Sequence, residues 1–137
     1  MRVASWGEIE GVLGGVDVIG AVEKALAAYS RGDAVIPPVG ELRLDAGEVH
    51  LKYGYLRGGR HYVVKIASGF YGNPALGLPS SDGLMLLFDQ STGRPVALLL
   101  DEGRLTDART AAAGAVAAKH LAPEVSAVGI VGTGIQA

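Results

Sequence analysis

Two cations and one glycine run in this chain have the types and settings from which chemistry can be built. Lys65 interrupts Tyr62-Val63-Val64-Lys65-Ile66-Ala67, an otherwise apolar run. Read as a strand, the run puts His61, Val63, Lys65 and Ala67 on one face and Tyr62, Val64, Ile66 and Ser68 on the other. A lysine there either blunts an edge strand or sits on a solvated face, or it reaches into a cleft to hold a carboxylate or tune a reacting amine. Arg109 falls in the first turn of a helix expected to start at Thr106, where the helix dipole disfavours a cation. Either it pairs on the surface with Asp107 or Glu102, or the helix start and the guanidinium together face a carboxylate or phosphate. Gly132-Thr133-Gly134-Ile135-Gln136-Ala137 fits G-x-G-x-x-A. In a dinucleotide fold the first Gly makes the strand-to-helix turn, the second admits a pyrophosphate to the backbone, and the small last residue lets helix and strand pack. The alternative is an ordinary glycine turn at a strand end.

The elements that must position these residues are legible in outline. Leu98–Ala122 reads as a strand end followed by a helix, with Thr106 as N-cap, Asp107 in the first turn, and an alanine-rich body. Lys119 and His120 suit its C-terminal end and Pro123 stops it. Val125–Val131 then reads as a buried strand leading into the glycine run. Toward the N-terminus, Ser5–Leu13 is a short helix. A longer one begins at the Asp17 cap, with Val18, Ile19, Val22, Leu26 and Tyr29 at helical spacing and Gly32 as its stop. Between these lie five strands: Val39–Leu44, Glu48–Leu56, His61–Ser68, Leu84–Asp89 and Val96–Leu100. Most of their turns are short and contain glycine, which joins antiparallel neighbours. The exception is Phe70–Asp82, a long loop rich in Gly and Pro with hydroxyls at Ser80 and Ser81. Lys52 alternates with apolar neighbours and reads as a solvated-face residue. Asp82, Asp89, Asp101 and Glu102 sit at turns or strand ends, where acids commonly serve the backbone. The fold class expected is α+β: N-terminal helices and a mostly antiparallel sheet of about six strands, then a linking helix and the first strand of a Rossmann-like α/β domain.

Composition narrows the function. The 137 residues suit one ordinary domain, and 49% of them are hydrophobic. The formal net charge is −2 with no basic run, which argues against a nucleic-acid partner. There is no cysteine, and the three histidines are scattered without metal-ligand spacing, so no metal site is expected. No apolar run is long enough to span a bilayer and the N-terminus lacks a signal-peptide core, so a soluble cytoplasmic protein with no membrane partner is expected.

Four blocks carry a resemblance in order and spacing. They are Lys65 with Gly69-Phe70-Tyr71-Gly72-Asn73-Pro74 and Gly77-Leu78-Pro79; Asp89 with Thr92-Gly93; Leu105-Thr106-Asp107-Ala108-Arg109-Thr110-Ala111-Ala112; and the glycine run. Together they resemble the ornithine cyclodeaminase/mu-crystallin family, from about Asp17 to the end. The resemblance implies a substrate and dimerisation domain over residues 1–122, and the start of an NAD(P)-binding Rossmann domain over residues 123–137. It implies cyclodeamination or ketimine reduction on a small amino acid or cyclic imine, with NAD or NADP as cofactor and a homodimer as the assembly.

Carried over by position, the substrate-contacting lysine of that family falls on Lys65, and the arginine near the substrate carboxylate and nicotinamide falls on Arg109. Ser80 and Thr110 look like cofactor contacts, and Gly132, Thr133, Gly134, Ile135 and Gln136 like the pyrophosphate cradle. Gly40 stands where ornithine-acting members have an arginine, so ornithine is not the implied substrate; Arg43 and Lys52 are the cations nearby that can substitute. The family's proton-transferring acid and the rest of its nucleotide site fall beyond Ala137, so the 137 residues alone are expected to be inactive. The alternative is a non-catalytic dimerisation or ligand-binding module.

Overall fold

The computed structural model describes residues 1–122 and 124–133. Seven strands and three α-helices follow one another as β1 (Arg2–Ala4), α1 (Trp6–Leu13), α2 (Val18–Ser30), β2 (Ala34–Val35), β3 (Gly40–Leu44), β4 (Gly47–Leu56), β5 (His61–Gly69), β6 (Ser81–Asp89), β7 (Pro95–Leu99) and α3 (Arg104–Leu121). One sheet runs β1-β7-β6-β5-β4-β2, and β3 also pairs with β4. Every pairing is antiparallel except β1 with β7. The α+β class and the meander from β3 to β7 are as expected.

The two strands the sequence did not reveal are the shortest. β1 has three residues and β2 two, too few for alternation to register. β6 begins at Ser81, three residues before its expected start, because Ser81 and Asp82 pair with Gly69 and Ser68. The loop before it holds a single 3₁₀ turn, Asn73–Leu76.

The N-terminal helices form where their caps are. Ser5 N–H donates to Glu8 Oε2 at 2.9 Å, and Asp17 Oδ1 accepts from Gly20 N at 2.9 Å. The third helix departs from expectation. It starts at Arg104, so Thr106 lies inside its first turn and is not the cap. The chain turns out of β7 through Glu102 at φ 52° and Gly103 at φ 77°, two successive left-handed residues. Asp101 supplies the capping acceptor instead: its Oδ2 accepts from Leu105 N at 3.2 Å. A carboxylate four residues ahead of the amide it serves falls outside the usual cap spacing, which is why Thr106 looked better placed.

The run Val125–Val131 forms no strand. Val125, Val128, Ile130 and Val131 are exposed, and among the described residues no strand pairs with them. An apolar, β-branched run needs neighbours to bond its backbone and cover its side chains, and periodicity alone does not supply them. The expected helix stop at Pro123 lies outside the described residues.

The two faces of the sheet differ. Ala4 is buried on one face, beside Leu99. Val3, Leu51, Tyr53 and Tyr55 point to the other and are exposed. On that second face Tyr62 stacks on Phe88, with centroids 4.8 Å apart and planes 4° from parallel. α2 packs along α3, where Glu23 holds Lys119 Nζ at 2.8 Å and His120 Nε2 at 2.5 Å.

Candidate functional site

Lys65 lies on β5, with β4 on one side and β6 on the other. That position rules out an edge-blunting role. Its register partners are Lys52 on β4 and Met85 on β6, so all three side chains share a face. The same face receives the start of α3: Lys65 Nζ donates to Thr106 Oγ1. The close approach of helix to sheet passes through two glycines. A Cβ on Gly83 would lie 2.8 Å from Ile66 O and 3.7 Å from the Cα of Gly103, the residue that caps α3. A side chain on Gly83 would clash with the neighbouring strand β5, and Gly103 is needed for its left-handed conformation in the turn into the helix.

Thr106, Arg109 and Thr110 stand at i, i+3 and i+4 and share one side of α3. Arg109 is exposed and close enough to Lys65 to repel its ammonium. Glu102, one of the partners considered for it, instead pairs with Arg104 at 3.1 Å. Thr110 Oγ1 donates to the carbonyl of Thr106 at 2.7 Å, which holds it in a fixed rotamer.

Burial is the main cause that pushes Lys65 below the usual lysine range; the positive charges of Arg109 and Lys52 act in the same direction. Asp101 and Asp107 act in the opposite sense. Asp101 is 1% exposed, and its Oδ1 has no hydrogen-bond partner among the described residues. The site is thus a half-buried ammonium with further cations beside it and carboxylates at the helix start. Such a surface binds an anion and lowers the basicity of any amine brought next to it.

An open cavity of about 580 Å³ adjoins this group, between α2 and the β4–β5 pair. Lys52, His61 and Val63 line it from the sheet, Ala25 from α2, and Ile36 and Arg60 from the flanking loops. Lys52 is exposed, as its alternation predicts, and it also lines this open cavity. Period-2 alternation places it correctly on that face but does not reveal the cavity beside it.

The remaining residues singled out from the sequence are not brought to Lys65. Ser80 is half-buried at the base of the loop, where its carbonyl accepts from Phe70 N at 2.7 Å. It lies one step beyond the pairing of Gly69 with Ser81, roughly 16 Å along the strand direction from Lys65. Gly132 and Thr133 are exposed, and no hydrogen bond among the described residues ties them to Lys65, Arg109 or Thr110. Gly134, Ile135 and Gln136 lie outside the described residues. Thr106 and Asp101 complete the site and were read from the sequence only as a cap and a turn acid. The signal for Thr106 was its spacing to Arg109 and Thr110 on one helix face.

The description of the ornithine cyclodeaminase/mu-crystallin family matches residues 2–137. The chain belongs to that family. A protein of Sinorhizobium fredii named as an uncharacterized cyclodeaminase is 44% identical over 144 residues, covering 100% of this chain and 43% of that protein. The structure of Thermococcus litoralis Δ1-pyrroline-2-carboxylate reductase, in complex with NADH and L-proline, superposes with a TM-score of 0.81 and 32% identity over 88% of this chain and 38% of that one. An archaeal alanine dehydrogenase dimer with bound NAD gives 0.80 and 30%, over 88% of this chain and 37% of that one. The chain spans less than half the length of these relatives.

Proposed function

We propose that this chain provides the substrate-binding part of an NAD(P)-dependent enzyme that reduces an imine, or cyclodeaminates an amine, beside the carboxylate of a small amino acid. The observation that carries the reading is the meeting of Lys65 with the first turn of α3, Arg109 lying one turn further on. A half-buried ammonium and a guanidinium at a helix start form a carboxylate site. Thr106 Oγ1 fixes the Lys65 ammonium, so the carboxylate and the carbon attached to it are held in one orientation. Orientation of this kind is worth several kcal/mol of barrier lowering or more. The positive charges of Lys65, Lys52 and Arg109 depress the basicity of the substrate nitrogen and favour the neutral amine.

Residues 1–122 form the substrate and dimerisation domain in this reading, and residues 123–137 begin a nucleotide-binding domain. Gly132 at φ 111° holds a conformation open to glycine and costly for other residues, as the first turn of a G-x-G-x-x-A loop requires. The backbone from Gly132 to Gln136 would hold the pyrophosphate, and Thr110 and Ser80 would contact the cofactor. When bound, the nicotinamide supplies the chemistry of hydride gain or loss at the substrate carbon. On this view residues 1–137 bind substrate without completing a turnover.

The exposed apolar face bearing Val3, Leu51, Tyr53, Tyr55 and the Tyr62–Phe88 stack supports association into a homodimer. No helix among the described residues is long and apolar enough to cross a membrane.

The test is turnover by the full-length protein. Cyclic imines, or 2-oxo acids with ammonia, should consume NADH or NADPH, or small amino acids should reduce the oxidised cofactor. Cofactor binding without turnover of any of these would contradict the reading.

A further inference from the structure

Lys52 and Lys65 face each other across neighbouring strands. Like charges directly opposite are destabilising in a sheet, and this pair lies in a site that also contains Arg109. The charges are distributed unevenly around it. The carboxylates near Lys65, Asp101 and Asp107, belong to the start of α3 and the turn before it. The adjoining cavity has Lys52, Arg60 and His61 in its wall and, among the described residues, no carboxylate. A substrate whose α-carboxylate lies at Lys65 and Arg109 therefore extends its far end into a basic, otherwise apolar space. A distal ammonium would meet Lys52, with no carboxylate in the cavity wall among the described residues to neutralise it. A distal carboxylate would be held by Lys52 and would relieve its repulsion with Lys65.

We propose that the substrate is dicarboxylic, a 2-amino or 2-imino acid with a second carboxylate on its side chain, and that Lys52 is the residue that holds that second carboxylate. The proposal rests on the substrate site proposed above, and it narrows the small amino acid of that site to a diacid.

The test uses unreactive probes on the full-length protein. The dissociation constants of succinate and butyrate, four-carbon acids with two carboxylates and one, are measured by calorimetry for the parent, Lys52→Met and Lys52→Arg. Succinate should bind about tenfold or more tighter than butyrate, a difference on the order of one carboxylate–lysine contact. Lys52→Met should lower succinate affinity about tenfold and butyrate affinity less than threefold, whereas Lys52→Arg should keep most of the preference. NADH and NADPH affinities should move less than threefold in both variants. Equal binding of succinate and butyrate by the parent, or a preference that survives Lys52→Met, would overturn the assignment while leaving the carboxylate site standing. A Lys52→Met loss confined to NADPH would assign Lys52 to the nucleotide and overturn it as well. Failure of both acids to bind, with no turnover of any 2-oxo acid or imine, would instead remove the substrate site on which the assignment depends.

Discussion

Lys65 and Thr106, 41 residues apart in the chain, are joined by a hydrogen bond from the lysine ammonium to the threonine hydroxyl. The bond links the interior of the sheet to the first turn of α3. It fixes the direction of the ammonium.

Replacing Thr106 with Val removes this acceptor and keeps the side-chain shape. Lys65 then loses a hydrogen bond to a charged group, worth roughly 1.5–3 kcal/mol where the bond is fully formed. Substrate affinity should fall by roughly tenfold, with NADH affinity little changed. Steady-state KM and an NADH fluorescence titration on the full-length enzyme read the two separately. Equal losses in both would mean that the helix has shifted as a body.

The lowered pKa of Lys65 gives opposite pH dependences to stability and binding. Its ordinary value is 10.5, and burial, followed by Arg109 and Lys52, lowers it. Below the folded-state value the group is charged in both states and burial penalises the fold. Between the two values the unfolded chain binds more protons, so this group's contribution to stability rises with pH. Over the same interval the ammonium is lost and carboxylate affinity falls. Arg109→Met removes one of the lowering charges, so the binding limb should move to higher pH as overall affinity drops. Substrate dissociation constants measured from about pH 7 to about 10.5 would reveal the shift. A limb that stays in place would show that Arg109 does not act on Lys65.

On the proposed reading Asp101 positions the helix start that carries the same site. Its Oδ2 accepts from Leu105 N, one residue before Thr106, and the side chain is almost wholly buried. Asp101→Ala should lower stability by about 1–2 kcal/mol through loss of the cap acceptor. Asp101→Asn keeps an acceptor oxygen and should cost less, but it removes a negative charge that acts on Lys65. The Asn variant should therefore shift the binding limb to lower pH with a smaller change in melting temperature. Thermal melts paired with the pH titration distinguish the two effects.

Much of this was legible in the sequence. The strand pattern from β3 to β7 follows from alternation and turn glycines, and the face of Lys65 was correctly given by its neighbours Val63 and Ala67. Asp89 was correctly read as serving a turn. Its Oδ1 accepts from the amides and hydroxyls of Ser91 and Thr92, led by the Ser91 hydroxyl, and its pKa is lowered to about 2. The start of α3 was misread because Asp101 caps it from the far side of a left-handed turn, a geometry that local residue preferences do not encode. Alternation correctly placed Lys52 on an exposed face, but the cavity it lines is set by tertiary packing that alternation does not encode. The apolar run after α3 looked like a strand for the same reason, since a strand is defined by a neighbour that its own sequence does not contain.

The central claim is that Lys65 holds the substrate carboxylate. Its most direct test is to compare Lys65→Met with the parent in the full-length protein, measuring dissociation constants for the substrate carboxylate and for NADH under the same conditions. Substrate affinity should fall about tenfold or more, equivalent to at least about 1.4 kcal/mol, with NADH affinity within about twofold of the parent. An unchanged substrate affinity in the variant would contradict the account.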